Sequence, residues 1–433
     1  EAGIAFIGKN TGTSGTVNLT SGTFNGGRWI PIGRFSGSTG VVNVSGGTLN
    51  QTNIGESIIV GEEGTGTLTI SDTGVVNAAG PAVLISNNAT GTGTVNLDGG
   101  TLTARQVTAG AAGAGTANLN FNGGLLVAGA DGNASFINNL DAATVRAGGA
   151  YIDSNGQTIA IDQALVKDDP DSGGGLTKSG AGALLLNGAN TYTGVTQVTA
   201  GTLGGNGSVA GPLVVPAGTT LAPGTSVGTF SSGDVNIAGT YACEIDGATA
   251  DKLVVTGSLS IDSTSAVLAI TQVSAPTSGV YVIATYTGPT PAAFFSVTGL
   301  PDGYSVVYDY NDGTTNTNIA LVGTPSGYAA WAATNAGGQT AELDFDNDGV
   351  ANGVEFFMGE TGSTFTANPG VVNGKVTWPK SAAYLGTWAV ETSPDLAVWT
   401  AATEGVVDNG TSVEYTLPTG EVRLFLRLAV TPQ

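Results

Sequence analysis

One phrase recurs along the first third of this chain. GTVNLTSGTFN at 15–25 returns as GVVNVSGGTLN at 40–50, GTLTISDTGVVN at 66–77, GTVNLDGGTLT at 93–103 and GTANLNFNGGLLV at 115–127. The starts fall at 15, 40, 66, 93 and 115, so the spacing is 25, 26, 27 and 22 residues. A second phrase keeps step with it: AFIG ends at Gly8, WIPIG at Gly33, SIIVG at Gly61 and AVLIS at Ser86. A period of 20–50 residues marks a stacked repeat. Within each unit the apolar residues alternate (Val17, Leu19; Val42, Val44; Leu68, Ile70; Val95, Leu97), which is the period of a strand, and Gly, Thr, Ser and Asn between them mark turns. One such unit cannot bury its own apolar face, whereas stacked units share a continuous core. The expected fold is all-β, a right-handed parallel β-helix with Val17, Val42, Leu68 and Val95 in one inward column.

Composition narrows what this scaffold can do. Gly makes up 70 of 433 residues, but a hydrophobic fraction of 41% gives the chain enough apolar surface to fold. With 12 Lys+Arg against 33 Asp+Glu the net charge is −21, and there is no His. Such a chain repels phosphate backbones and anionic lipid, so nucleic acid is excluded as a partner and divalent cations are favoured. No apolar run of 18 residues occurs, so membrane insertion as a helix is not expected. The single Cys243 shares its phase with Tyr241 and Ile245 and is expected to point inward. Glu1 opens in the middle of a coil, which suggests the mature part of a longer precursor.

From 151 the pattern shifts to YIDSNGQTIAIDQALV, followed by KDDPDSGGG at 167–175, a solvated excursion. GAGALLLNGANTYTGVTQVTAGTL at 180–203 then resembles the autotransporter-associated β-strand repeat, also called the passenger-associated transport repeat, with Ala183, Asn187 and Gln197 as departures from its usual form. The resemblance extends loosely through 221–230 and 241–261. It implies a secreted or surface-displayed right-handed β-helix with a structural or adhesive role, exposed on a Gram-negative bacterium. In NGANTYTG the Asn-Gly and Tyr-Thr-Gly steps suit tight corners. Asn190 is a candidate for an amide ladder between coils, and Tyr192 for a packing aromatic.

The expected domains are a solenoid over 1–262, terminal coils or a capping β-sheet over 263–325, a calcium-loop segment over 326–362 and a β-sandwich over 363–433. The third holds the sharpest chemical signal. In LDFDNDGVANGVEFFMG at 343–359, Asp344, Asp346 and Asp348 occupy positions 1, 3 and 5 of a 12-residue loop, with Gly349 at 6, Val350 at 7, Asn352 at 9 and Glu355 at 12. That is the oxygen-ligand spacing of an EF-hand-type Ca2+ site, in which the position-7 carbonyl contributes and the last Glu closes the sphere. Ala351 stands where paired EF-hands carry Ile or Val, so a lone, dockerin-like or thrombospondin-repeat-like loop between two short helices is expected. In the last segment KVTW, GTWAVETS, LAVWTAA, SVEYTLP and EVRLFLRLAV read as strands, with Trp378, Trp388 and Trp399 in the core or, alternatively, forming a sugar-binding strip.

Three functions compete. Catalysis has the least support: acids such as Asp153, Asp162, Asp246 and Asp251 fall one per strand or turn, without a partner evident in sequence. A monomeric carbohydrate-binding adhesin contacting surface glycans is the alternative. The leading expectation is a non-catalytic, calcium-stabilised surface fibre, matrix or adhesin component; head-to-tail polymerisation with itself is a further expectation, against a monomer with a capped or frayed first coil, because AGIAFIG offers an open strand edge and VRLFLRLAV at 422–430 is strongly apolar.

Overall fold

A computed structural model describes residues 3–110, 115–313, 317–323, 327–382, 384–420 and 423–432; Ala2 of the first expected strand, and Glu421 and Val422 of the last, lie outside the described residues. The chain divides into two compact units, Glu1–Asp302 with Val306–Val322 and Gly303–Ser305 with Gly323–Gln433.

The first unit is a parallel β-solenoid. An unbroken parallel succession of strands runs from Ile30–Ile32 to Ser296–Thr298. Along it Ile30, Ile58, Val83, Val107, Ile137, Ile161 and Leu186 stack in register, all buried. On a second face Val17 pairs with Val42, Val42 with Leu68, Leu68 with Val95 and Val95 with Leu119. The expected inward column therefore exists, with Val17 half-buried and the others sealed. The fifth copy of the phrase begins at Gly115, but it is Ala117 that stacks on Gly93. The two-residue slip keeps every side chain on its proper face, so apolar alternation could not reveal it.

The glycines of the repeat have steric causes. Gly8, Gly33 and Gly61 turn with φ of +68°, +74° and +79°, and Ser86 adopts φ +55° at the equivalent corner. A side chain there is strained, and the Ser86 hydroxyl donates 3.0 Å to the Gly91 carbonyl. Each corner crosses the glycine at the second position of the next strand. A Cβ at Gly66 would lie 2.2 Å from the Gly61 nitrogen and 2.3 Å from the Ile32 oxygen.

Amide ladders do run between coils, but on other residues than the expected one. Asn43 donates to Asn18, and Asn120 to Asn96, at 2.8 Å each, while Asn77 donates to Asn50 at 2.9 Å. Asn190 is buried and bonds backbone instead: its oxygen accepts from the Leu165 amide, and its NH2 donates to the Gly188 and Ser208 carbonyls. A corner leaves backbone groups without ladder partners, and Asn190 supplies both a donor and an acceptor there. Tyr192 is buried, its hydroxyl 2.7 Å from that of Thr196. Lys178 is buried too, its ammonium donating to the carbonyls of Ser179, Gly180 and Ala200 at 2.7, 2.7 and 3.0 Å. Cys243 points inward with Tyr241 and Ile245. Beyond 262 the solenoid continues: Val280–Thr287 runs parallel to Lys252–Ile261 and antiparallel to Thr317–Gly323.

The second unit contains helix α1 (Tyr328–Asn335), helix α2 (Asn352–Met358) and two three-stranded antiparallel sheets. One sheet is built from Lys375–Pro379, Ser412–Thr416 and Val406–Asp408, the other from Thr400–Ala401, Gly386–Ser393 and Phe425–Pro432. The sequence separated the loop segment from the sheets, but one core joins them: Val350, Phe356, Phe357 and Met358 pack with Val376, Trp378, Val390, Val413 and Leu428. A seven-residue helix cannot stand alone in water and takes its stability from such packing. The tryptophans do not act alike. Trp378 is buried and Trp388 packs partly against the same core. Trp399 stays half-exposed under the Arg427 guanidinium, 4.4 Å from its ring, so it is neither core nor part of a three-residue strip.

Candidate metal centre

The loop between α1 and α2 is drawn in by its own carboxylates. Asp344 accepts from the amides of Asp348 (3.2 Å) and Gly349 (2.8 Å), and Asp348 accepts from Val350 at 2.8 Å. Asn347 at φ +63° and Gly349 at φ +92° supply the left-handed steps that reverse the chain. As a result Asp344, Asp346 and Asp348 each present a carboxylate oxygen within 4.8 Å of one another, and this is the one cluster of three or more acidic, His or Cys side chains with metal-site spacing among the described residues. Two of the three acids of the 167–175 loop are turned to other work: Asp168 holds Ser172, and Asp171 holds Gly173 and Thr193.

Glu355 lies in the first turn of α2, fully buried. Its Oε1 accepts from the Thr366 hydroxyl at 2.9 Å, while its buried Oε2 has no hydrogen-bond partner among the described residues. Burial, reinforced by the charges of Asp348, Asp346 and Asp344, pushes its carboxyl up to about 7 against the opposing Thr366 bond. Residue 362 has to be small here, because a Cβ on Gly362 would lie 3.1 Å from Oε2 and 2.8 Å from the Trp331 ring. A buried carboxylate oxygen with no partner is costly, but Glu355 stands outside the group in which the three aspartates lie within 4.8 Å of one another. The donor set is all hard oxygen, which suits Ca2+ or Mg2+ rather than a thiolate- or imidazole-seeking metal.

Two loop positions contribute differently. The Val350 side chain is buried in the hydrophobic core and anchors the loop exit, the place where its carbonyl was expected to serve as ligand. Asn352 was expected to offer its side-chain oxygen to the ion. That oxygen instead accepts from the Phe345 amide at 3.0 Å, and its NH2 donates to the Thr340 carbonyl at 3.1 Å. Asn352 is thus a staple closing the two ends of the loop, because a helix-start side chain turned to its own loop satisfies backbone that would otherwise be buried unpaired. Sequence reasoning missed Thr366. It lies beyond the twelve-residue template, and nothing in GSTFTANPG marks it out.

Residues 176–204 match the family described as passenger-associated-transport-repeat. They form the strands Leu176–Ser179, Ala183–Leu186, Ala189–Asn190, Thr196–Val198 and Thr202–Gly205, and include the buried Lys178, Asn190 and Tyr192. Over 57 residues the chain is 49% identical to an extracellular serine protease of Serratia marcescens, a match covering 13% of this chain and 6% of that protein. No helix among the described residues is long and apolar enough to cross a membrane. The chain is a β-solenoid protein that carries the passenger-associated transport repeat.

Proposed function

We propose that this protein is a secreted or surface-displayed structural element, a non-catalytic solenoid fibre or adhesin component whose C-terminal unit is stabilised by Ca2+. The observation that carries the reading is where the solenoid spends its carboxylates. Asp251 accepts from the Gly228 and Glu244 amides at 2.8 Å each, Asp234 from Ser258 at 2.7 Å, Asp141 from Ala117 at 2.6 Å and Asp162 from the Asn187 side chain at 2.8 Å. These acids fasten coil to coil or strand to turn, which is scaffold chemistry. General acid–base work needs an acid that faces substrate with a partner across a cleft. The transport repeat and the extracellular character of the Serratia protein support placement outside the cell. For the C-terminal unit, the residues that would hold Ca2+ are Asp344, Asp346, Asp348 and Glu355, with the Val350 carbonyl.

The test combines turnover and binding. Purified protein is incubated with a panel of polysaccharides and with casein, and binding to bacterial and host-cell surfaces is measured in parallel. Saturable surface binding or self-assembly without turnover is expected. Turnover abolished by Asp251→Asn, at the solenoid acid that burial pushes up to about 6, would refute the reading.

A further inference from the structure

The segment that follows α2 turns back across the acidic loop and brings one residue between its two halves. Thr366 is buried. Its backbone amide donates to Asp348 Oδ2, and its hydroxyl donates to Glu355 Oε1 at 2.9 Å. Asp348 lies 18 residues before Thr366 and Glu355 11 residues before it, so a third stretch of chain ties the early loop to the closing glutamate. The tie leaves free the oxygen that matters: Oε2 of Glu355 is buried and without a partner among the described residues. The same segment places Gly362 beside that oxygen, where the absent Cβ leaves room.

We infer that Thr366 is a positioning residue for the metal centre, tethering Glu355 and Asp348 to one segment so that the closing glutamate is held near the three clustered aspartates when a divalent cation binds. This rests on the calcium reading given above. A twelve-residue loop alone has to order its last carboxylate when the ion arrives. Here the Thr366 hydroxyl fixes one Glu355 oxygen beforehand, which restrains the carboxylate and reduces the ordering cost of binding. Partners that orient metal ligands from outside the coordination sphere are worth about 10–100-fold in affinity. Serine keeps the hydroxyl and the backbone amide; valine keeps the shape and loses the hydroxyl.

The experiment is isothermal titration of the full chain with CaCl2 after chelator treatment, for unmodified protein, Thr366→Val and Thr366→Ser, with denaturation midpoints of the three in EDTA and in excess Ca2+. The expected result is a one-site isotherm for the unmodified chain, affinity weakened about 10–100-fold in Thr366→Val, and affinity restored to within about threefold in Thr366→Ser. The gain in midpoint on adding Ca2+ should shrink in the valine variant alone. If Thr366→Val lowers the midpoints in EDTA and Ca2+ equally and leaves affinity unchanged, Thr366 is ordinary packing and the inference is overturned while the calcium reading stands. Equal weakening in the serine variant overturns the role of the hydroxyl. No binding to the unmodified chain overturns the calcium reading and this inference together.

Discussion

Replacing Gly66 by alanine should destabilise the solenoid, although it adds only a methyl group to a strand. Gly66 stacks on Gly40 and under Gly93 in register. Its added Cβ would lie 2.2 Å from the Gly61 nitrogen and 2.3 Å from the Ile32 oxygen. Those two atoms bond each other across the coils at 2.7 Å, so the methyl would land inside a hydrogen bond. Relief needs a backbone shift of about 1 Å, since comfortable contacts begin near 3.5 Å. Overpacking of this kind costs about 1–3 kcal/mol, and parting a buried backbone pair about 1–3 kcal/mol more, giving a loss of about 2–6 kcal/mol. Gly279→Ala is the control, with nothing within 4 Å of its Cβ; a tolerated Gly→Ala change stabilises by about 0.4–1 kcal/mol. Urea denaturation followed by circular dichroism gives the stabilities, and hydrogen exchange of a peptide spanning 57–72 locates the damage. Because each coil contacts only its neighbours, protection should fall there first. Gly66→Ala as stable as the Gly279→Ala control would refute the stacking described above.

Burial pulls the Lys178 ammonium from 10.5 down to about 8, partly opposed by Asp153, so between those values the unfolded chain binds more protons than the folded one and stability should rise with pH. The rise should be absent in Lys178→Met, and urea titrations at pH 7.5 and 8.5 check it; buried Cys243 and Tyr192, held above their usual 9 and 10, make stability fall as pH climbs through those values. Trp378→Ala should cost about 3–5 kcal/mol as a large-to-small core change, whereas Trp399→Ala, which loses mainly its Arg427 stacking, should cost about 0.5–1 kcal/mol; thermal melts of the two variants check the order. Saturating Ca2+ at 100 times its dissociation constant should stabilise the second unit by about 2.7 kcal/mol, and Glu355→Gln should remove most of that gain in denaturation with and without EDTA.

The solenoid was legible because its repeat carries the same information at every turn. Val42, Leu68 and Val95 share a phase, and Gly8, Gly33 and Gly61 share a corner, so both columns could be written down from sequence. What escaped depended on contacts without a period. The fifth coil slips to Ala117, which alternation cannot detect. Asn190 was assigned by its neighbours' chemistry, but its corner offered unpaired backbone rather than a second amide. The acidic loop was legible as spacing, and the three aspartates do converge. The work of Asn352 and Thr366 was not: Asn352 acts on Phe345 and Thr340, which the folding of the loop brings to it, and Thr366 acts on Glu355 through the return of the chain after α2. The fusion of loop and sheets into one unit escaped for the same reason: the apolar residues of α2 name no partner in sequence.

The most direct test of the proposed metal centre is a crystal structure of the chain grown in CaCl2, with an anomalous difference map at long wavelength. The account predicts one peak among Asp344, Asp346 and Asp348, with Glu355 Oε2 about 2.3–2.6 Å from it and Thr366 still bonded to Oε1. A well-ordered loop with no peak, or a peak that leaves Glu355 Oε2 facing no cation, would contradict it.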